Sequence, residues 1–488
     1  MASTWLWRGS EDELIQIKMK NEISSGIMKP IHTVESVHPN LKKQSNCSPL
    51  IGDAVIVDSA LHPINGSKYE NVWILNEGAH AAVRSNDEER RRLWKRAGIG
   101  SSFRALAGER IYRVTVVNLE PYSIVRMDRN GYEVVGEELR FRENSAESML
   151  PIDKWPLDAS LRRVVRTAVR SLYTLGLDIG EAVIALGGDG HVAVRDAWPL
   201  LRDKGQGAAA IERFAVWYSA ASAQMADRRR ILIGADPEFV LLMPSGKVAP
   251  ASRFFGDGAY GAAGADAMLV GRRLLYPVAE LRPAPAETPA ALAANVRRLL
   301  ARAATKISDP TLRWVAGAMP VPGLALGGHI HLSGAPLTGR LLRMLDSCAA
   351  YPLALVEDPA GRGRRPRYGA LGDFRPQPHG GFEYRTLPSW LVSPAAAKAA
   401  FALALLCARE ALRIPSIPAQ EERYAAAYYS GDRTELAACL DAVASTISAT
   451  ESYAALAAYI EPLFEAARRG KTWDESADIR TKWRLPIV

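Results

Sequence analysis

The sequence predicts an α+β protein, and three observations carry that expectation. Short strand-like segments in the second half hold polar residues at spacing two among apolar neighbours and are bounded by Gly or Pro: Asp236/Glu238, Glu280/Arg282, His329/His331 and Glu383/Arg385. Long Ala/Leu-rich stretches follow them, at Pro394–Arg413 and across 418–470, with helical spacing of Leu, Tyr and Ala. In the first half a helix-like run, Asp158–Leu175, precedes two strand-like runs joined by Gly187-Gly-Asp-Gly190.

Composition bounds the rest. A chain of 488 residues with 48% hydrophobic and 23% charged residues has room for two or three domains and is neither disordered nor fibrous. The net charge of +8 is mild for this length, and its arginines are dispersed. No aromatic-basic stripe or nucleic-acid motif accompanies that charge, so small phosphate-bearing molecules are the expected anions rather than nucleic acid. Cys47, Cys348, Cys407 and Cys439 are far apart, with no C-x-x-C spacing and no leader-like stretch ahead of them. Reduced thiols and a cytoplasmic setting are expected. No apolar run reaches the roughly 20 residues of a membrane helix. Ala395–Leu406, the longest candidate, suits a buried helix.

Along the chain, residues 1–50 are polar and carry little periodicity, with an acidic stretch at Glu11, Asp12 and Glu13. Ala54–Val57 and Val72–Leu75 read as strands, and Asp87–Lys95 as a solvated charged helix. Arg110–Val117 is a further strand. Asp158–Leu175 stops at Gly176, and His191–Pro199 closes the hairpin that follows. This order, with the phrase Leu175-Gly-Leu-Asp-Ile-Gly-Glu-Ala-Val-Ile-Ala185, resembles the C-terminal half of ATP-grasp ligases, particularly those of endospore coats. Where that family ends its last strand in a Glu-x-Asn metal pair, this chain has Asp196-Ala-Trp198, and an indole does not coordinate magnesium. A degenerate ATP-grasp-like domain over 1–205 is therefore expected. Lys204-Gly-Gln-Gly-Ala-Ala-Ala210 reads as a flexible boundary, followed by a helix from Ile211 to about Arg229 and a catalytic domain over 206–488.

Side chains at i and i+2 of a strand share a face, so each of the four pairs projects from one sheet surface. Any one pair is weak evidence in a chain with so many charges. His329 and His331 stand out, because two of only eight histidines share a strand behind Gly327-Gly328. Together the pairs converge on carboxylate, imidazole and guanidinium, the set that phosphoryl transfer from ATP requires. Carboxylates hold a hard cation such as magnesium, imidazole is an acceptable further ligand, and arginine forks hold phosphate. No Walker A sequence is present. Ser333 lacks a nucleophile-elbow context, and His379 before Gly380-Gly381 reads as a turn residue.

Residues from about 231 to 410 are similar to the amidoligases, the carboxylate-amine (COOH-NH2) ligases of the glutamine synthetase and glutamate-cysteine ligase superfamily, in their phage-like type 2 branch. The matching phrases are Gly234-x-Asp-Pro-Glu-Phe239, Asp257-Gly258, Val278-x-Glu-Leu-Arg-Pro283, Gly328-His-Ile-His331, Arg364–Arg375 and Phe382-Glu-Tyr-Arg-Thr-Leu-Pro-Ser389, in the family's order. The resemblance implies a curved antiparallel sheet forming a funnel, covered by helices. ATP would enter at one end, and the acid and amine at the other. It also implies magnesium or manganese held by Asp236, Glu238, Glu280, His329 and Glu383, with His331 as a less firm member. Arg385 would contact the transferring phosphate, while Arg282, Arg367 and Arg375 would hold phosphate or substrate carboxylate. Tyr368 fits a nucleotide base or loop packing equally.

The function expected is an ATP-dependent ligase that joins a small-molecule or peptide carboxylate to an amine through an acyl phosphate. Two alternatives stand beside it: a two-site ligase with an active N-terminal domain, and a non-catalytic binding or coat-associated protein. No membrane partner is expected, and the oligomeric state is open.

Overall fold

The computed structural model describes residues 2–7, 14–17, 48–57, 72–102, 104–128, 133–140, 158–199, 204–226, 230–255, 261–270, 273–378, 380–411, 413–414 and 418–485. The acidic stretch at 11–13, Cys47, the Asp257-Gly258 phrase and His379 lie outside the described residues. The chain separates into two compact units, the first running to Arg228 and the second formed chiefly by Arg229–Val488.

In the first unit, strands β1 (Thr4–Trp7), β2 (Leu14–Ile17), β3 (Ala54–Val57) and β4 (Trp73–Leu75) form a sheet in the order β2-β1-β3-β4. Helices α1 (Ala79–Arg84) and α2 (Asp87–Arg96) follow. Strands β5 (Arg110–Val117), β6 (Glu120–Met127), β7 (Glu133–Arg140), β8 (Ile179–Leu186) and β9 (Val192–Pro199) make an antiparallel sheet in the order β7-β6-β5-β8-β9. Helix α3 (Ala159–Thr174) packs on β8 and β9. It starts at Asp158, whose carboxylate accepts the N–H groups of Ser160 and Leu161, and stops at Gly176, which adopts φ +73°. This is the helix, strand, hairpin and strand order expected for an ATP-grasp-like scaffold. Asp196, the surviving acid of the expected metal pair, is held by Arg90 at 3.2 Å.

Lys204–Ala210, expected as a flexible boundary, is instead the start of helix α4 (Lys204–Ala226). The run of alanines that follows its two glycines favours a helix, and that propensity outweighs the glycine signal.

The second unit is built on β10 (Leu232–Leu242), eleven residues buried along almost their whole length. With β11 (Val248–Ala249), β12 (Ala263–Val270), β13 (Arg273–Leu281), β14 (Arg313–Val315), β15 (Gly328–Ser333), β16 (Phe374–Pro376) and β17 (Phe382–Tyr384) it forms one curled antiparallel sheet. The main path is β12-β13-β10-β15-β17-β16, and β11 and β14 pair with the end of β10.

Helices α5 (Pro289–Lys306), α6 (Gly339–Leu345), α7 (Tyr351–Val356), α8 (Pro394–Glu410), α9 (Glu422–Ser430), α10 (Arg433–Ala437), α11 (Leu440–Ser448), α12 (Tyr453–Arg468) and α13 (Ile479–Trp483) cover it. Helix α8 lies against β10 and β15 and is buried on nearly all sides, by α5 and α12 among others. Its all-round apolar composition makes that position favourable. Behind the sheet Phe239 stacks on Trp314 with ring centres 5.1 Å apart, and Trp390 meets Phe401 edge-on at 4.6 Å. The charged final segment docks back onto this unit: buried Glu475 accepts the N–H groups of Ala318, Met319 and Asp358, and the Trp483 indole donates to the Leu391 carbonyl. No helix among the described residues is long and apolar enough to cross a membrane.

Candidate active site

Strand register brings the four pairs together. Glu238 on β10 stands opposite Glu280 on β13, Asp236 stands opposite His329 on β15, and His331 stands opposite Glu383 on β17, which in turn faces Arg375 on β16. Opposed residues share a face, so the spacing-two pairs and Arg375 line one surface. The same face of β10 continues as Val240 and Leu242, which join Val278, Val315, Leu324 and Leu326 in an apolar cluster. Donors therefore occupy one end of the face and close packing the other.

The backbone around His329 admits only glycine. A Cβ on Gly327 would come 2.5 Å from His329 Nε2, and one on Gly328 would come 2.6 Å from the Pro388 carbonyl. With no side chain there, the Gly327 N–H donates to Glu238 Oε2 at 2.6 Å and the Gly328 carbonyl accepts the Trp390 indole at 2.8 Å. Glu383 is held from behind its strand. Tyr384, on the opposite face, donates to buried Asp346 at 2.6 Å, and the Gly372 N–H reaches the same oxygen at 3.0 Å.

Two groups of possible ligand atoms result. Asp236, His331 and Glu383 form one, and Glu238, Asp266 and Glu280 form the other; within each, the donor atoms lie within 4.8 Å of one another. His331 Nε2 is 3.2 Å from Asp236 Oδ2. His329 Nδ1 lies between two carboxylates, 3.0 Å from Asp236 and 3.2 Å from Glu383. The first three-donor group thus contains His331, while His329 bridges its two acids. Asp266 on β12 was not among the sequence candidates. It lies two residues beyond Gly264, the partner of Glu280, and this cross-strand register is the only signal that marks it.

Arginines flank both groups. Arg282 meets Glu280 at 2.5 Å. Glu383, with no exposed surface, receives Arg375 Nε at 2.7 Å, Arg385 at 2.7 Å and Gln377 at 3.0 Å. Arg367 and Tyr368 are exposed, and the Arg367 guanidinium lies 5.4 Å from the Tyr368 ring centre. Buried Arg364 ties their loop to the Thr386 and Leu387 carbonyls.

Burial and mutual charge set the electrostatics. Burial pushes Glu238 up to about 7, with Asp266 and Asp236 adding to the rise and His329 and the Gly327 N–H opposing it. Glu280 is also pushed up to about 7 by burial and by Asp236, against the pull of Arg282. Burial alone would raise Asp236, but His329 and His331 hold it well below the usual carboxylate range. His329, which burial alone would lower, is raised to about 10 by Asp236, Glu383 and Glu238.

The donor set suits a divalent cation. Asp236 Oδ1, His329 Nδ1 and His331 Nε2 are buried and make no properly directed hydrogen bond, although they lie at ion-pair distance from one another's groups. A buried polar atom without a partner is costly, and a cation would supply one to Asp236 and His331. The second group is all carboxylate, the donor chemistry of magnesium and manganese. Among the described residues, both three-donor groups lie in the second unit.

Comparison with known proteins agrees in region. The profile of the family described as phage phiEco32-like COOH.NH2 ligase-type 2 matches residues 233–485, just over half of the chain. No curated protein matches the sequence. A solved bifunctional glutathione synthetase from Pasteurella multocida is similar at 10% identity and TM-score 0.35, over 54% of this chain and 49% of that one. The chain thus spans about half the length of that relative. A structure described as apo GmaS without ligand is similar at 14% identity and TM-score 0.31, over 57% of this chain and 76% of the other.

Proposed function

We propose a reaction for this chain, which belongs to the phage phiEco32-like COOH.NH2 ligase-type 2 family: ATP-dependent joining of a carboxylate to an amine, assisted by magnesium or manganese. The observation that carries the proposal is the single sheet face on which two three-donor groups stand side by side with arginines at both flanks.

Asp236, His331 and Glu383 would hold one cation and Glu238, Asp266 and Glu280 another. Bound there, the cations would screen the repulsion between the substrate carboxylate and the triphosphate. Arg375 and Arg385, which rest on Glu383, are placed to turn their forks to phosphate oxygens when a nucleotide enters. A substrate carboxylate oxygen attacks the γ-phosphorus, the bond to ADP breaks, and Arg385 stabilises charge on the transferring group. The amine nitrogen then attacks the acyl carbon, phosphate leaves, and the nitrogen loses its proton. His329, charged between Asp236 and Glu383, orients both acids. Arg282 would hold a carboxylate beside Glu280, and exposed Tyr368 with Arg367 would cover the nucleotide.

The test is ATP-dependent phosphate release across a panel of acids and amines, with and without magnesium. The reading fails if Glu238→Ala and Glu383→Ala turn over a found substrate pair at the native rate.

A further inference from the structure

Glu475, in the final segment of the chain, is a buried carboxylate that the reaction above does not use. It is 4% exposed and accepts three backbone N–H groups: Ala318 at 2.8 Å and Asp358 at 3.2 Å on one oxygen, Met319 at 3.0 Å on the other. A carboxylate is costly to bury unless its lone pairs are filled, and here the backbone fills them. That backbone is shaped for it. Gly317 takes φ +130°, and a Cβ there would lie 2.1 Å from Glu475 Cδ, so only glycine admits the carboxylate.

From residues 317–319 two short paths lead to Glu238. The Ala318 carbonyl accepts the Leu326 N–H at 3.0 Å, and the next residue, Gly327, donates to Glu238 Oε2 at 2.6 Å. The Gly317 carbonyl accepts the Ser389 N–H at 3.2 Å, and the Ser389 hydroxyl donates to the Glu238 carbonyl at 2.5 Å. One path ends on the Glu238 carboxylate and the other on its backbone.

Both paths begin in peptide units that Glu475 holds. The Gly317 carbonyl shares a unit with the Ala318 N–H, and the Ala318 carbonyl shares one with the Met319 N–H. A peptide unit is planar and stiff, so fixing its N–H also aims its carbonyl. The group of Asp236, His331 and Glu383 is backed from elsewhere, by Tyr384 on Asp346. On the cation groups of the ligase reading above, we propose that Glu475 is a positioning residue for Glu238, and through it for the Glu238, Asp266 and Glu280 group. By aiming two peptide units it holds Glu238 where a cation binds, and it touches neither cation nor substrate itself. The role needs both carboxylate oxygens, because the NH2 of a glutamine would face a backbone N–H in place of one acceptor.

Manganese titration of the full chain, read by calorimetry and by the spin resonance of free Mn2+, tests this. Glu238→Ala and His331→Ala tell the two cation groups apart. Glu475→Gln should weaken by about tenfold the ion that Glu238→Ala removes, the size expected when a group that orients a metal ligand is lost. The ion that His331→Ala removes should keep its native affinity. Glu475→Asp, which keeps the charge on a side chain one methylene shorter, should fall between and serves if the glutamine variant does not fold. A merely structural role would loosen the unit and weaken both ions alike. Equal weakening of both ions, native affinity for both, or a native chain that binds no manganese would each overturn the proposal. Failure of the ligase reading looks different: the selective loss of one ion is present, yet no acid and amine release phosphate from ATP.

Discussion

The two flanks of the β10 face bind charge in different ways. On the β15 and β17 side, Asp236, His331 and Glu383 are interleaved with His329 and clamped by Arg375 and Arg385. On the β13 and β12 side, Glu238, Asp266 and Glu280 face one another, with Arg282 paired to Glu280. The first flank carries its own positive charge and keeps Asp236 ionised. On the second, burial holds Glu238 and Glu280 up near 7, with Asp236 and Asp266 adding to the rise. One surface thus contains a flank whose acids already lie beside cationic side chains and one whose buried glutamates are held towards the neutral form.

The largest effect should come from the all-carboxylate flank. Glu280→Ala and Asp266→Ala should each lower phosphate release by about 100- to 1000-fold, the several kcal/mol expected when charge stabilisation at a phosphoryl group is lost. Full activity in Asp266→Ala would remove that residue from the site and break the pairing of the two groups. On the other flank, His331→Ala should weaken manganese binding by about 10- to 100-fold, read by calorimetry or by the spin resonance of free Mn2+. If His329→Ala loses the ion and His331→Ala does not, the roles of the two histidines are reversed.

A smaller effect is set by pH. Cation binding to Glu238 and Glu280 displaces their protons, so affinity on that flank should rise by about tenfold for each proton displaced between pH 6 and 8. The linked stability has a definite sign. Both folded values lie above the ordinary glutamate value of 4.5, so their contribution is fully present below that value and is lost as pH rises through about 7. Metal-free protein should therefore be less stable in urea at pH 8 than at pH 6, and manganese should reverse the difference. A flat metal-free profile would place these carboxylates in a less strained setting. The smallest effect tests what lies behind the β17 flank. Tyr384→Phe removes the hydrogen bond to Asp346 and should cost about 1 kcal/mol in urea denaturation.

Much of this was legible in the chain. Spacing two in segments bounded by Gly and Pro identifies strand faces, because the alternation of a strand is a local property of its backbone. All four pairs lie on one sheet. Gly327-Gly328 was legible only as a boundary ahead of the two histidines; the close approach there comes from the structure. The flexibility expected of Lys204–Ala210 is replaced by helix, because Gly and Ala runs are compatible with either state. Asp266 was not legible, because one carboxylate in an apolar hairpin resembles many others.

What the sequence by itself determined is the chemistry available: which carboxylates, imidazoles and guanidiniums are carried on strands, and on which side. Only the tertiary structure decided how those groups are shared out. Register across β12, β13, β10, β15, β17 and β16 places Asp266 with Glu238 and Glu280, and His331 rather than His329 in the first three-donor group. The physical reason is that register is set by hydrogen bonds between strands far apart in the chain. Shifting one strand by a single residue would turn its whole set of donors to the other face, and no local pattern records that choice.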